Sequence, residues 1–111
     1  MILRIDNLDI FKKIYKIDIT AEPNQSFDCY INDNSFSFDI ATFSNNDTRI
    51  SIKRGDEVLA NNASIFFNLN LIYFSKFKGG AFFFIANENI KETKLNFENF
   101  NNGVRFYYGS F

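Results

Sequence analysis

The chain has 111 residues, of which 46% are hydrophobic and 23% charged, with a formal net charge of −1 and no histidine. This length predicts one domain whose core is stable without disulfides, and the single cysteine, Cys29, excludes a disulfide within the chain. A net charge near zero gives no electrostatic reason to expect nucleic acid or an anionic membrane as the partner.

The first part of the chain predicts a strand followed by a hairpin. Residues 14–19, IYKIDI, alternate polar and apolar side chains, as a half-buried strand does. Residues 25–31 and 35–41 alternate in the same way on either side of the tripeptide NDN at 32–34. Asparagine and aspartate tolerate positive φ, so this tripeptide suits a tight reversal. The stretch is therefore predicted to be an antiparallel hairpin with one buried face.

Further strands are predicted in the rest of the chain, separated by turn residues. They lie at 48–54, 66–74, 81–86, 95–100 and 103–108. The RGD tripeptide at 54–56 is interpreted as a turn rather than an adhesion motif, and SNND at 44–47 as another turn. The segment 88–94 is predicted to be a polar connection or one short helical turn. About seven to eight short strands predict an all-β antiparallel domain, either a sandwich or a small barrel.

The sequence offers little to a catalytic, metal or cofactor site. Without histidine it lacks the commonest general base. Cys29 lies in the middle of a strand on its apolar side, where a structural thiol is expected rather than a nucleophile. Carboxylates are scattered through turns, and Gly79-Gly80 lack the lysine and helix of a phosphate-binding loop. We therefore predict no enzymatic activity, no bound metal and no cofactor.

The N-terminal residues do not resemble a signal peptide. Charges at Arg4, Asp6 and Asp9 interrupt the apolar run that such a peptide needs. The apolar run AFFFIA at 81–86 is about a third of a membrane span. These features predict a soluble protein that is made in the cytosol and does not enter a membrane.

One basic and aromatic stretch leaves a second function open. Its residues are Tyr73, Phe74, Lys76, Phe77, Lys78, Phe82 and Phe84. Aromatic rings interleaved with basic side chains resemble the stacking platform of a small β-barrel that binds single-stranded nucleic acid. Against this interpretation, the chain is slightly acidic overall, and phenylalanines that alternate along strands normally belong to a core.

The sixteen Phe and five Tyr exceed what one small core needs, so some are expected at protein contacts. The segment 81–86 is apolar on both faces, with Phe82 and Phe84 on one face and Phe83 on the other. We expect one face to pack in the domain's own core and the other to be covered by a partner or a symmetry mate. The alternative is an ordinary central strand whose two faces are both covered by the same chain, including its N-terminal arm.

The strand patterns also follow a recognisable order. The segments that carry it are PNQSFDCYINDNSFSFDI, DTRISIKRGDEVL, NLNLIYF, GGAFFFIAN and GVRFYYGSF. Gln25 and Phe27 open the first of them as Gln-x-Phe, and the last strand ends in the paired aromatics Tyr107 and Tyr108. In size and in these features the chain resembles the baseplate plug proteins of contractile-tailed bacteriophages.

The resemblance covers residues 17–111, which are predicted to form a single β domain. Residues 1–16 are predicted to be an additional N-terminal strand or arm. One part departs from the family pattern, because Lys53-Arg54 stand where an aromatic residue or aspartate usually precedes the glycine turn. The shared motifs are β-patterns rather than catalytic signatures.

The resemblance implies a structural protein at the centre of a tail baseplate, where it would plug or clamp the joint between the hub and spike and the tail tube. Its partners would be the hub, spike and tube-initiator proteins, and it would be an oligomer in the assembly. It would be assembled in the host cytoplasm and end in the virion. No catalytic or ligand residues are implied. The candidate residues for a protein interface are Phe82, Phe84, Tyr107 and Tyr108.

Overall fold

The computed structural model describes residues 3–43, 47–88, 90 and 95–111. Within these residues it has seven strands and two short 3-10 helices, at Leu8–Ile10 and Phe97–Asn99. The strands are β1 (Lys13–Ile17), β2 (Asn24–Ile31), β3 (Asn34–Thr42), β4 (Thr48–Arg54), β5 (Glu57–Ser64), β6 (Gly80–Ala86) and β7 (Val104–Ser110). Neither of the described helices is long and apolar enough to cross a membrane.

The β2–β3 hairpin forms because its turn residues and its alternation agree. Asn32 and Asp33 have φ of 51° and 64°, the pair of left-handed residues that a two-residue type I′ turn requires. The register places Phe27 opposite Phe38, so the apolar side chains of both strands lie on one face. The predicted antiparallel hairpin is confirmed.

Strands β4 and β5 extend this hairpin into a four-stranded antiparallel sheet in the order β2-β3-β4-β5. The RGD segment forms the β4–β5 turn with Gly55 at φ 60°, which confirms its interpretation as a turn. A bulge interrupts the β4–β5 register beside Asn62, which has φ 52° and whose N–H donates to Ser51 Oγ at 2.9 Å. Such a bulge bends and twists the edge strand.

The second sheet has three antiparallel strands in the order β1-β7-β6. β7 lies at its centre, and its register places Tyr108 opposite Phe82 and Phe106 opposite Phe84. The apolar faces of the two sheets contact each other in one shared core. The predicted all-β antiparallel fold is confirmed, in its sandwich form and with seven strands among the described residues.

The core between the sheets is built largely from phenylalanine rings. The ring of Phe82 meets those of Phe36 and Phe38 edge-on, with centroids 5.0 and 5.3 Å apart. Phe84 and Phe106 stack at 4.3 Å with an interplanar angle of 10°. Such aromatic pairs contribute about 0.5–1.5 kcal/mol beyond the area that they bury. Many of the Phe and Tyr residues that were expected at contacts with other proteins therefore lie in this core.

The prediction of a strand at 66–74 is wrong, although its apolar residues do alternate. Asn68 adopts φ 63°, which turns the backbone out of the extended region. The side chain of Asn70 accepts a hydrogen bond from the Ile72 N–H at 3.1 Å, so it forms a local turn in place of a ladder bond. The segment is a loop that makes only isolated bridges.

This loop covers the free edge of β6, which is an edge strand rather than a central one. The N–H groups of Asn68 and Leu71 donate to the carbonyls of Phe84 and Phe82, each at 2.9 Å. An uncovered edge of this kind would present unpaired backbone groups to other chains. The loop therefore closes this edge of the sandwich without forming a strand.

The predicted hairpin of 95–100 with 103–108 is also wrong. Asn101 and Gly103 have φ of 58° and 99°, so the expected turn is present. The residues before it form the 3-10 helix Phe97–Asn99, whose start is capped by the Asn96 side chain accepting from the Glu98 N–H at 3.0 Å. β7 pairs with β1 and β6 instead. Most of the predicted turn at 44–47 and of the connection at 88–94 lies outside the described residues.

Candidate interaction surfaces

Three of the four candidate interface residues lie in the core. Phe82 and Phe84 are fully buried and Tyr108 nearly so. The rings of Phe82 and Tyr108 are 4.8 Å apart. Burial raises the pKa of the Tyr108 hydroxyl above its ordinary value. A role for these three residues in contact with another protein stays a prediction, and it would require them to leave this core.

Tyr107, the fourth candidate, lies on the opposite face of the three-stranded sheet. Its ring is 5.9 Å from that of Phe83, which is fully buried on that face together with Ala81. These residues form a second apolar cluster with Ile5 and Phe11 from the N-terminal part of the chain. The outer face of this sheet is therefore apolar and is covered.

That cover is supplied by residues 3–12, which precede β1. From here on, the N-terminal arm means these residues and not the whole predicted segment 1–16. The Phe11 ring stacks on Phe83 at 5.3 Å with an interplanar angle of 8°, and the Phe111 ring lies 5.4 Å from Phe11. Gly109 permits this approach, because a Cβ there would lie 2.5 Å from the Phe11 ring. Both faces of β6 are thus covered by the same chain, as the alternative that the sequence left open described, although β6 is an edge strand and not the central strand of that alternative.

Backbone hydrogen bonds fasten both ends of the N-terminal arm. They run from Ile5 N to Asn68 O at 2.7 Å, from Asn70 N to Leu3 O at 2.8 Å, and from Lys12 N to Ser110 O at 2.8 Å. Between these points the side chains of Leu8 and Ile10 are exposed. The arm is therefore fixed at both ends by hydrogen bonds, and its Ile5 and Phe11 side chains pack on the sheet.

Replacing Phe11 with alanine should lower the free energy of unfolding by about 2–4 kcal/mol, because the cover over Phe83 is lost. Urea denaturation measures this change, and binding of a hydrophobic dye should rise as Phe83 becomes accessible. Leu8→Ala on the exposed side of the same arm is the control and should change stability by about 0.5 kcal/mol or less. If the Phe11→Ala variant were as stable as the unaltered chain, the Phe11 ring would not stabilise the fold by covering Phe83.

Gln25, which opens the Gln-x-Phe motif, fastens the loop before β2. Its Nε2 donates to the Thr20 carbonyl at 2.8 Å and to the Glu22 carbonyl at 3.3 Å. Its Oε1 accepts from the Thr20 N–H at 3.2 Å. The amide thus pairs with both backbone groups of Thr20, as a neighbouring strand would. A glutamine suits this position because its amide both donates and accepts hydrogen bonds.

Arg54, part of the departure from the family pattern, takes part in packing. Its guanidinium carbon lies 4.6 Å from the centroid of the Phe77 ring, and its Nη2 pairs with Glu57 Oε1 at 2.9 Å. A guanidinium over an aromatic face is an attractive cation–π arrangement. The arginine of the RGD tripeptide is therefore engaged within the fold.

Cys29 occupies a half-buried site on β2. Burial, and to a lesser extent the charge of Asp18, raise the pKa of its thiol. A protonated thiol is a weak nucleophile, which supports the interpretation of Cys29 as structural. Within the described residues, no three or more Cys, Asp or Glu side chains come together in a way that could hold a metal ion.

The predicted stacking platform for single-stranded nucleic acid does not form. Phe77, Phe82 and Phe84 face the core, so only Tyr73 and Phe74 of its aromatic residues remain near the surface. Stacking of successive bases needs several accessible rings along one groove. The alternating phenylalanines Phe82 and Phe84 therefore belong to the core, which was the argument against the stacking platform.

Two accessible surface features remain, and sequence reasoning missed the second of them, the groove. Phe74 is 91% exposed, at the tip of a turn within the loop between β5 and β6. On the outer face of the four-stranded sheet lies an open groove of about 570 Å³. The alternation of Ser and Asp along β2 and β3 predicted a polar face there, but the groove depends on the twist and bulge of the sheet, which no local pattern encodes.

Taken together, these features define a small antiparallel β-sandwich with an aromatic core and a covered outer sheet face. The chain matches the family model described as cyanophage baseplate Pam3 plug gp18 over residues 14–110. The protein belongs to this family of phage baseplate plug proteins, as its resemblance implied. It is a structural component of the phage tail baseplate, where it contacts other baseplate components. No curated protein matched the chain.

Proposed function

We propose that the protein plugs or clamps the joint between the hub and spike and the tail tube, and that it does so without enzymatic activity. The family match over residues 14–110 is the observation that carries this proposal. Hub, spike and tube-initiator proteins would be its direct neighbours, and it would be assembled with them in the host cytoplasm.

The packing of the sandwich supports a mechanical role. Rings from both sheets interlock in the core, and the N-terminal arm and the 66–71 loop close an outer face and an edge of the three-stranded sheet. Well-packed interiors have low compressibility and transmit strain, as a part that resists load at a joint must. The chain measures 33 × 30 × 22 Å along its principal axes, which gives the size of the density to be sought at that joint.

Cryo-electron microscopy of tails with and without this chain tests the proposal. Particles from a phage whose gene carries a nonsense codon should lack density at the hub–tube joint and should regain it when the chain is supplied in trans. Density for the chain at the baseplate periphery would contradict the position. Turnover of any tail or host component by the purified chain would contradict the absence of enzymatic activity.

A further inference from the structure

We propose that the chain binds a second copy of itself head to tail, by inserting Phe74 of one copy into the groove on the outer sheet face of the next. This contact goes beyond the proposed function, because it requires no other baseplate protein. It joins two different surfaces of the chain.

Phe74 lies in the turn formed by residues 71–76, which is anchored to the core by Ile72. Ile72 is fully buried in the core, and its carbonyl accepts hydrogen bonds from Ser75 N at 3.0 Å and Ser75 Oγ at 2.8 Å. The ring of Phe74 rests edge-on against Tyr73 with centroids 4.9 Å apart. A rigid exposed aromatic residue loses little conformational entropy on binding, which is what an interface anchor needs.

The surroundings of Phe74 are positively charged. Lys76 and Lys78 follow it closely, and between Glu57 and Glu88 they are the only charged residues in the sequence. Lys78 Nζ donates to the Ser75 carbonyl at 2.8 Å, so it stabilises the turn while keeping its charge. The occupant of the opposite surface should therefore offer an apolar site with acidic side chains beside it.

The groove on the four-stranded sheet meets this need in part, because its outward-facing side chains are mostly polar, two of them are acidic, and Val58 adds exposed apolar surface. Asp28 and Asp39 line it together with a single basic side chain, Lys53, so the groove has one net negative charge. Val58, which is 52% exposed, supplies apolar surface on β5. Ser26 Oγ donates to Asp39 Oδ1 at 2.9 Å and orients that carboxylate. The groove has a volume of about 570 Å³, within the range of about 300–1,000 Å³ that holds drug-sized ligands, so it has room for an aromatic side chain.

The two surfaces belong to different parts of the sandwich. The groove is lined by residues of β2, β3, β4 and β5, whereas Phe74 lies in the loop that joins β5 to β6. Phe74 is 91% exposed and does not line the groove of its own chain, so a contact between them would join two copies. A contact between unlike surfaces is heterologous, and repetition of it closes into a ring when the rotation permits.

Sedimentation equilibrium of the purified full chain tests this contact at several concentrations and two salt levels. The unaltered chain should associate as its concentration rises, and more weakly in high salt, because exposed charges are screened. Phe74→Ser should weaken the association by about thirtyfold, as the loss of an interface anchor does. Phe43→Ser, at another exposed phenylalanine outside the groove lining, is the matched control and should leave association unchanged.

A mixing experiment distinguishes this contact from a symmetric dimer. Phe74→Ser leaves the groove intact, and Val58→Arg blocks the groove but leaves the turn intact. At concentrations where the unaltered chain associates but a contact about thirtyfold weaker does not form, each variant should be monomeric alone, whereas an equimolar mixture should form dimers and nothing larger. Separately, Lys76→Glu and Asp28→Lys should each weaken association, and their combination in one chain should restore part of it. A monomeric unaltered chain, a Phe74→Ser variant that associates normally, or a mixture that stays monomeric would overturn the proposal.

Discussion

Replacing Phe82 with alanine should lower the free energy of unfolding by about 3–5 kcal/mol, the usual cost of removing a buried phenylalanine. Phe82 is fully buried and its ring contacts rings from both sheets, those of Phe36, Phe38, Phe106 and Tyr108. The cavity would lie where the sheets meet, and the backbone around it is held by strand pairing, so little collapse is expected. For a chain of this length the melting temperature should fall by about 15 °C.

Phe74→Ala, compared at a protein concentration low enough to keep the chain monomeric, is the matched control, because it removes the same atoms from a ring that is 91% exposed. It should change the free energy of unfolding by about 0.5 kcal/mol or less. Thermal unfolding followed by circular dichroism compares the two variants. If Phe82→Ala kept the original melting temperature but lost association with baseplate proteins, Phe82 would belong to an interface and not to this core.

The hairpin at 24–42 could be predicted because every local signal there agrees. Alternation, the positive-φ residues of the turn, and a single buried face all specify the same register. The segment 66–74 has similar alternation, yet it forms a loop. Its asparagines decide the outcome, since Asn68 adopts positive φ and Asn70 hydrogen-bonds to the backbone. In a chain with sixteen Asn, an asparagine within an alternating run is a weak indicator of either outcome.

The apolar character of β6 on both faces could be read from the sequence, but the identity of its covers could not. One face packs between the sheets, and the other lies under Phe11 and Phe111, which are 72 and 28 positions away from Phe83 in the sequence. No local pattern reports pairings over such separations. The sequence alone predicts that the excess of aromatic residues lies at protein contacts. In the structure most of these residues lie in the core or in this second apolar cluster.

The N-terminal arm lies outside the region that matches the family model. The family match begins at residue 14, whereas Ile5 and Phe11, which cover the outer face of the three-stranded sheet, precede it. The matched region on its own would leave Phe83 and Tyr107 with less cover. The arm therefore removes an exposed apolar face that would promote non-specific association. The Phe74 turn and the groove are among the surfaces that stay accessible for specific contacts.

Replacing Gly80 with alanine should be among the most damaging single-methyl changes in the chain. A Cβ at Gly80 would lie 2.4 Å from Cζ and Oη of Tyr108 and 2.5 Å from the Gly109 carbonyl oxygen. Tyr108 cannot swing aside, because its ring is buried against Phe82 and Phe36 at 4.8 and 5.7 Å. The carbonyl belongs to the β6–β7 pairing and cannot shift without disturbing it. Overpacking of this kind costs about 3 kcal/mol.

Gly55→Ala is the control for this substitution. Gly55 has φ 60° and nothing within 4 Å of its would-be Cβ, so alanine there should cost only the backbone strain of about 1 kcal/mol. Urea denaturation of both variants separates steric overlap from loss of glycine flexibility. In a Tyr108→Ala background the added cost of Gly80→Ala should fall, because one of its two overlaps is gone while that with the Gly109 carbonyl persists. The proposed overlap would be contradicted if Gly80→Ala and Gly55→Ala lowered the free energy of unfolding equally. It would also be contradicted if the Tyr108→Ala background did not reduce the effect of Gly80→Ala, because Tyr108 would then not be what excludes a side chain at position 80.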